Sequence, residues 1–314
     1  MFRKILVATR NPAEPDAAVL SAARIAGYNK ASLILVHVIE PFNGVETNAA
    51  RQFETGGKID PKATDSYLQE VRETLYKNYA AIMSPLEAFQ VIMQFGIPWM
   101  EILKVAITEG TDLLLLGAHL QKADERVSQN ARTGVGSTTE GVIKHERSPV
   151  MIVSKPISEV KVKFEKIMVS IDFSPSCFSA FQFAVKLAQK RGSELHLFHM
   201  IPVPPQPEYS QAQYEADVHK TKQRLKKEFC NKIPETVKTE IETWGGVNPD
   251  MEILKSAQQN DVDLIVMGSH TKLTGKLQES RWYVGSAVER VSAKSVCPVV
   301  VITDPNVLEK WDGR

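Results

Sequence analysis

Short apolar runs alternate along the chain with stretches in which apolar residues recur at helical spacing. In the first half the apolar runs predict strands at 3–9, 32–39, 87–94, 112–116 and 150–153. The stretches between them predict helices at 17–27, 62–83, 98–108 and 137–145. Parallel strands need crossover connections, so this alternation predicts an α/β fold with a parallel sheet covered by helices on both faces.

The second half of the chain repeats the first. Lys4-Ile5-Leu6-Val7-Ala8 recurs as Lys166-Ile167-Met168-Val169-Ser170, and Met100-Glu101-Ile102-Leu103-Lys104 recurs unchanged as Met251-Glu252-Ile253-Leu254-Lys255. Gly136-Ser137 likewise matches Gly285-Ser286. A repeat of this length indicates a tandem duplication. We therefore expect one domain over residues 1–155, a second over 162–303 with its long helix at 209–230, and a tail over 304–314.

Composition narrows the class of protein. The 314 residues are 43% hydrophobic and 24% charged, as in ordinary globular proteins. The net charge of +1 gives no reason to expect nucleic acid or an anionic membrane as partner. The start of the chain is apolar for too few residues to be a signal peptide, and no apolar run is long enough to span a membrane. These features predict a cytoplasmic protein.

The three cysteines, Cys177, Cys230 and Cys297, lack the spacing of a zinc site or a disulfide framework. We therefore expect buried thiols and no metal site.

A glycine-rich segment, 267–286, joins a predicted buried strand to a predicted helix. Such a segment can present backbone N–H groups to a phosphate. Gly268, Gly275 and Gly285 would let the backbone approach a ligand, and Ser286 could cap the helix or bind a phosphate oxygen. This signal alone is weak, because glycine-rich loops are common.

Motifs in the second half carry a family resemblance. Val-Ser-Ile-Asp-Phe-Ser at 169–174 follows the first strand of the second half, and Met-Gly-Ser-His at 267–270 follows the fourth. With Gly285-Ser286 and Cys297-Pro298, these motifs resemble a universal stress protein domain. Because both halves share the order of elements, the chain is similar to tandem members of that family. The resemblance implies two doubly wound parallel-sheet domains of the adenine-nucleotide alpha-hydrolase-like fold, which pack as an internal pseudo-dimer through strands 150–153 and 299–302.

The resemblance also implies a site for ATP or another adenine nucleotide, with or without magnesium, in the second half. Its implied residues are Ser170, Ile171, Asp172, Met200, Met267, Gly268, His270, Gly275, Gly285, Ser286 and Ala287. It assigns an adenine or ribose role to Asp172 and phosphate-binding roles to Gly275, Gly285 and Ser286. ATP-binding members have two residues between the first two glycines, whereas six separate Gly268 from Gly275 here. The next spacing, nine residues from Gly275 to Gly285, matches the family pattern.

Several of these residues have alternative roles. Asp172 could accept hydrogen bonds from ribose hydroxyls, or it could cap a turn before Ser174. His270 could touch a phosphate or simply be hydrogen-bonded within the loop. Three loop cations would suit a polyphosphate or remain solvated: Lys272, Lys276 and Arg281. His37 and His199 lie at equivalent strand ends, which favours a shared structural role over a metal pair.

The first half differs at the matching positions. Arg10 stands where the second half has Asp172, and Arg126 stands where it has Gly275. The first site is therefore expected to be degenerate or adapted to an anion, although solvated or paired arginines would also fit this pattern.

Two classes of function remain open at this point. The first is a stress-response regulatory protein that binds an adenine nucleotide in its second domain and acts on an unknown protein partner. The second is a slow ATP hydrolase or self-phosphorylating protein that uses the same loop. A nucleotide-free scaffold is a third alternative, and association of two chains is also left open. The chain shows neither a Walker lysine motif nor a Ser/His/Asp arrangement, which favours binding.

Overall fold

The computed structural model describes residues 2–10, 15–40, 61–118, 135–203, 209–269 and 284–303, and for residues 61–67 it describes the backbone alone. The first half contains strands β1 (Lys4–Thr9), β2 (Ser32–Ile39), β3 (Phe89–Phe95), β4 (Leu113–Gly117) and β5 (Val150–Val153). Its helices are α1 (Ala17–Asn29), α2 (Pro61–Met83), α3 (Pro98–Glu109) and α4 (Ser137–His145). The predicted elements are all present, with bounds that differ by at most a few residues.

The second half repeats this order of elements. Its strands are β6 (Lys166–Ser170), β7 (Glu194–Pro202), β8 (Thr239–Gly246), β9 (Leu264–Gly268) and β10 (Val299–Ile302). Its helices are α5 (Pro175–Arg191), α6 (Gln211–Glu228), α7 (Pro249–Gln259) and α8 (Ser286–Lys294). Short 3-10 helices lie at Lys161–Lys163 and Cys230–Lys232.

All ten strands form one sheet in the order β3-β2-β1-β4-β5-β10-β9-β6-β7-β8. Pairing within each half is parallel, which confirms the predicted α/β class. The central pair is antiparallel, with Val299 opposite Ile152 and Val301 opposite Val150. The expectation that the last strands join the halves is thus confirmed. Pairing covers two apolar edges that would otherwise expose unpaired backbone groups.

The sheet is covered on both faces, as its continuous apolar strands require. One core lies between the sheet and helices α1, α2, α5 and α6, and it includes Val19, Leu75 and Phe183. The other lies under α3, α4, α7 and α8, and it includes Ile102 and Ile253, the same position of the repeated Met-Glu-Ile-Leu-Lys motif. Both halves therefore use the motif to bury one face of an equivalent helix.

A carboxylate before the fourth strand of each half fixes the start of the first strand. Asp112 accepts hydrogen bonds from the backbone N–H groups of Arg3 (2.7 Å) and Lys4 (3.3 Å). Asp263 does the same for Lys166 at 3.1 Å. Burial raises the pKa of Asp112, and these backbone hydrogen bonds act in the opposite direction because they favour the ionised form.

Helices that correspond between the halves are joined by different chemistry. In the second half the buried carboxylate of Asp250 on α7 pairs with Arg290 on α8 at 3.1 Å. At the equivalent place in the first half, Trp99 on α3 stacks on His145 of α4 with ring centroids 4.8 Å apart. Gly141 makes room for that ring, since a Cβ there would lie 2.6 Å from Trp99 Cγ. The duplication thus kept the helix contact while its side chains changed.

The cysteines are free thiols, but only Cys177 is buried. Cys230 and Cys297 are half-buried, so the expectation of buried thiols is wrong for these two.

Candidate functional site

The predicted site lies at the point where the strand order of the second half reverses. β6 and β9 are neighbouring parallel strands, and the chain leaves them toward helices on opposite faces of the sheet. Ser170 ends β6, with Ile171 and Asp172 directly after it, while Met267 and Gly268 end β9. The carboxyl ends of strands at such a switch point form the usual ligand crevice of doubly wound sheets.

Asp172 is exposed at this edge, and its carboxylate supports the turn into α5. Its Oδ1 accepts a hydrogen bond from the backbone N–H of Ser174 at 2.9 Å. Ser174 in turn caps the helix, because its Oγ accepts from the N–H of Cys177 at 3.1 Å. The turn role considered for Asp172 is therefore observed, and its ligand role stays a prediction.

Histidines hold the ends of the first two strands together in both halves. His199 Nδ1 lies 2.7 Å from the carbonyl oxygen of Ile171, and His37 Nδ1 lies 3.0 Å from that of Thr9. The shared structural role expected for these histidines is confirmed. Burial lowers the pKa of each imidazole, while its bond to the carbonyl acts in the opposite direction.

A cation and an aromatic ring adjoin the site, and neither was predicted from the sequence. Phe173 follows Asp172 in a left-handed backbone conformation, with φ of 62°. One neighbour of its ring is the imidazole of His199, at 4.8 Å between centroids. The guanidinium of Arg224, from α6, lies 3.7 Å from the ring centroid. Sequence periodicity could not reveal this contact, because it joins a loop to a helix far along the chain.

Gly268 has a packing role. A Cβ at this position would lie 2.4 Å from both the backbone N of Cys177 and the carbonyl carbon of Ser176, so only glycine lets the first turn of α5 approach β9. The glycine-rich segment also predicts contact between the Gly268 backbone and a ligand, and that contact remains a prediction. Burial, and secondarily the charge of Asp172, raises the pKa of the Cys177 thiol to about 12. This thiol therefore stays protonated and unreactive.

Helix α8 begins without a side-chain cap. Gly285 is the N-cap residue and Ser286 is the first helical residue, exposed to solvent. Capping by Ser286, one of its two expected roles, is therefore wrong. Ala287, next in the helix, is half-buried. In the described part of the chain the N–H groups of this turn have no side-chain cap, which leaves them available to an anion.

Met200 lies on a packed surface at the end of β7. It pairs with Trp244 on β8, and a Cβ on Gly246 would lie 3.0 Å from its Sδ. The indole Nε1–H of Trp244 donates to Glu252 Oε2 at 2.7 Å. Met200 is half-buried, so part of its apolar side chain is accessible at this strand end.

Part of the predicted site lies outside the described residues. These positions are His270, Gly275, the loop cations Lys272, Lys276 and Arg281, and Arg126 of the first half. Among the residues that the structure describes, no group of three or more His, Cys, Asp or Glu side chains is arranged to hold a metal ion. No helix within the described ranges is long and apolar enough to cross a membrane.

Comparison with known proteins identifies the family. The sequence model of the universal stress protein family matches residues 1–154 and again 163–303. The chain belongs to the universal stress protein family.

Two universal stress proteins of Methanocaldococcus jannaschii are similar to parts of the chain. One is 30% identical over 151 residues, which are 45% of this chain and 84% of that protein. The other is 28% identical over 166 residues, 47% of this chain and 99% of that protein. Each relative thus corresponds to about half of this tandem protein.

Solved structures support the fold over the whole length. A universal stress protein from Archaeoglobus fulgidus superposes with a TM-score of 0.65 at 20% identity, and the match covers 96% of each chain. A functionally unknown protein from Pseudomonas aeruginosa superposes with a TM-score of 0.58 at 16% identity, covering 98% of this chain and 95% of that one. These matches show that the tandem universal stress protein fold extends through both halves.

Within this universal stress protein the first half is built differently at the matching strand ends. Arg10 follows β1 in place of Asp172 and is exposed. Thr9 Oγ1 lies 3.2 Å from both Asp16 Oδ2 and Tyr79 OH, so a polar network ties β1 to α1 and α2. At the other side, Thr139 on α4 donates to the carbonyl of Gly117 at 3.2 Å. Arg10 thus places a cation after β1, whereas the second half has the Asp172 carboxylate after β6.

Proposed function

We propose that the second half binds ATP or a related adenine nucleotide and that the protein is a stress-response regulator controlled by this ligand. The observation that carries the proposal is the placement of the exposed Asp172 carboxylate at the switch point between β6 and β9. The loop that leaves β9 leads to the uncapped start of α8. Asp172 can accept hydrogen bonds from a ribose, and the start of α8 can bind phosphates. Because the two follow neighbouring strands, one nucleotide could contact both.

The residues divide by chemistry. Asp172 would accept hydrogen bonds from the ribose hydroxyls, and the half-buried Met200 would offer apolar surface to the base. Ile171, which is buried, would support the strand end that carries Asp172. The backbone N–H groups of Ser286 and Ala287, with the Ser286 hydroxyl, would donate hydrogen bonds to phosphate oxygens. Ser170, Met267, Gly268 and Gly285 would shape the walls, and His270 and Gly275 would complete the phosphate loop, with magnesium arriving on the nucleotide.

Membership of a family with ATP-binding members supports the proposal, as does the spacing of nine residues between Gly275 and Gly285. We assign binding to a second domain, 162–303, and not to the first domain, 1–155, where Arg10 replaces the carboxylate. The ligand would act by changing how the chain meets a protein partner, and the described geometry requires no chemical step.

The nature of the ligand is tested by mass spectrometry of small molecules released when the purified full chain is denatured. An adenine nucleotide approaching one per chain is the expected result. Recovery of no nucleotide, together with no uptake of added ATP in equilibrium dialysis, would contradict the proposal and favour a nucleotide-free scaffold.

A further inference from the structure

Helix α6 carries a concentrated positive surface that nucleotide binding does not use. Between His219 and Lys232 the sequence has one carboxylate, Glu228, and six cations: Lys220, Lys222, Arg224, Lys226, Lys227 and Lys232. All six cations are exposed. The net charge of the whole chain is only +1, so the rest of the molecule is net negative. The positive charge is therefore gathered in one place; we call these six cations the α6 basic surface.

The cations of the α6 basic surface are largely unneutralised. Glu228 pairs with Arg224 at 2.8 Å. Among the described residues no carboxylate pairs with Lys220, Lys222, Lys226 or Lys227. Lys232 lies over the Phe178 ring at 3.8 Å, which leaves its charge near the same surface.

The need for a stable helix does not explain this charge. Cations in the last turn interact favourably with the helix dipole, which accounts for Lys226 and Lys227. Lys220 and Lys222 precede that turn, and each has a cation four residues ahead of it, a like-charge spacing that destabilises a helix. Over its whole length α6 has five cations and three carboxylates, whereas the equivalent helix α2 of the first half has three of each. The second half therefore carries a net positive charge on α6 that the equivalent helix of the same fold lacks.

The arrangement suits a ligand that is itself a regular array of negative charge. Leu225 is the buried residue of α6, and Lys220 and Lys227 lie seven residues apart on the opposite side. Arg224 falls between them in sequence and flanks this side, with its guanidinium over Phe173. Lys220 and Lys227 are separated by about 10 Å along the helix axis, from a rise of about 1.5 Å per residue. A helix with glutamates at the same spacing would place one carboxylate opposite each cation.

Other anionic partners fit less well. No large apolar side chain is exposed on α6, whereas helices that lie in a membrane surface bury apolar side chains there. No aromatic residue stands among the cations from Lys220 to Lys227 to stack on nucleic-acid bases. We propose that the α6 basic surface is a docking site for an acidic helical segment of a partner protein. Because Arg224 also contacts Phe173, the partner would sit beside the candidate nucleotide site.

The experiment uses the full chain and a fluorescent glutamate-rich helical peptide whose glutamates repeat at intervals of four and three residues. Lys220→Glu combined with Lys227→Glu reverses two charges on the α6 basic surface. The matched control, Lys186→Glu combined with Lys190→Glu, reverses two exposed lysines on α5 and changes the net charge equally. We expect the first variant to bind the peptide roughly tenfold or more weakly than the parent protein, and the control to stay within about twofold.

Three outcomes would overturn the inference. These are no binding of the peptide by the parent protein, equal losses in the two variants, or tighter binding of single-stranded DNA or of phosphatidylcholine–phosphatidylserine vesicles than of the peptide. Thermal unfolding of both variants checks that they are folded. ATP binding is measured on the same samples, so failure of the docking site is distinguished from failure of the proposed nucleotide site.

Discussion

Val300 lies directly opposite Met151 in the antiparallel pair that joins the two halves into one sheet. Both side chains are fully buried. This β5–β10 pair, the seam between the halves, is therefore part of the continuous sheet and its cores. We expect each half to stabilise the other.

Shortening the seam side chain tests this view. Val300→Ala should lower the free energy of unfolding by about 1.5–3 kcal/mol, because two buried methyl groups are lost and a cavity is left in their place. Val247→Ala is the control, because Val247 is 71% exposed and its loss should cost less than about 0.5 kcal/mol. Urea unfolding of both variants measures the difference, and equal effects would show that the seam contributes little.

Adding one methyl group at Gly268 should be costly. Its Cβ would meet backbone atoms of α5 that cannot rotate away, so Gly268→Ala should destabilise by about 1–3 kcal/mol. At Gly27 the nearest atom to an added Cβ is Leu86 Cδ2 at 3.8 Å, an ordinary contact. Gly27→Ala should therefore be neutral or stabilise the helix by up to about 1 kcal/mol. Thermal unfolding compares the stability of the two variants. A Gly268→Ala variant as stable as the parent protein would refute the packing role of Gly268.

The repeat allowed most of the fold to be predicted, but little of the side-chain chemistry. Apolar runs and the repeated Met-Glu-Ile-Leu-Lys motif fixed the order of elements, since burial on both faces of a sheet has a clear periodicity. Nothing in that periodicity shows that Asp250 is buried beside Arg290 while Trp99 takes its place in the first half. The contact of Arg224 with Phe173 was missed for the same reason, because it depends on tertiary packing.

The buried ion pair between α7 and α8 should be sensitive to loss of its cation. Arg290→Ala leaves the Asp250 carboxylate, 3% exposed, with only Lys294 at 3.9 Å among the described cations. Stranding a buried charge in this way should cost about 3 kcal/mol. Lys255→Ala, which removes an exposed partner of Glu252, should cost under about 0.5 kcal/mol. Denaturant unfolding measures the loss of stability in both variants. Similarly small losses would show that the buried Asp250 carboxylate does not need Arg290 as its partner.

Stability should fall on mild acidification. Burial lowers the pKa of His199 and His37, so below about pH 6.5 the unfolded chain binds protons that the folded chain resists. The stability that this difference in histidine pKa contributes is fully present above the pKa of the unfolded chain. It is lost as the pH falls toward the lower pKa of the folded chain. His199→Asn keeps an amide donor for Ile171 but cannot titrate. Urea unfolding between about pH 7.5 and 5.5 should show a shallower decline in this variant than in the parent protein. An unchanged decline would exclude His199 as a source.

The most direct test of the proposed function is calorimetric titration of ATP into the parent protein, Asp172→Ala and Arg10→Ala. We predict one site per chain in the parent, because Asp172 stands two residues after β6 in the second half, where the first half has Arg10. Asp172→Ala should weaken binding about tenfold or more, since one or two ribose hydrogen bonds are each worth roughly 0.5–1.5 kcal/mol and more when charge-assisted. Arg10→Ala should bind as the parent does. Equal losses in the two variants, a larger loss from Arg10→Ala, or two equivalent sites per chain would contradict the assignment.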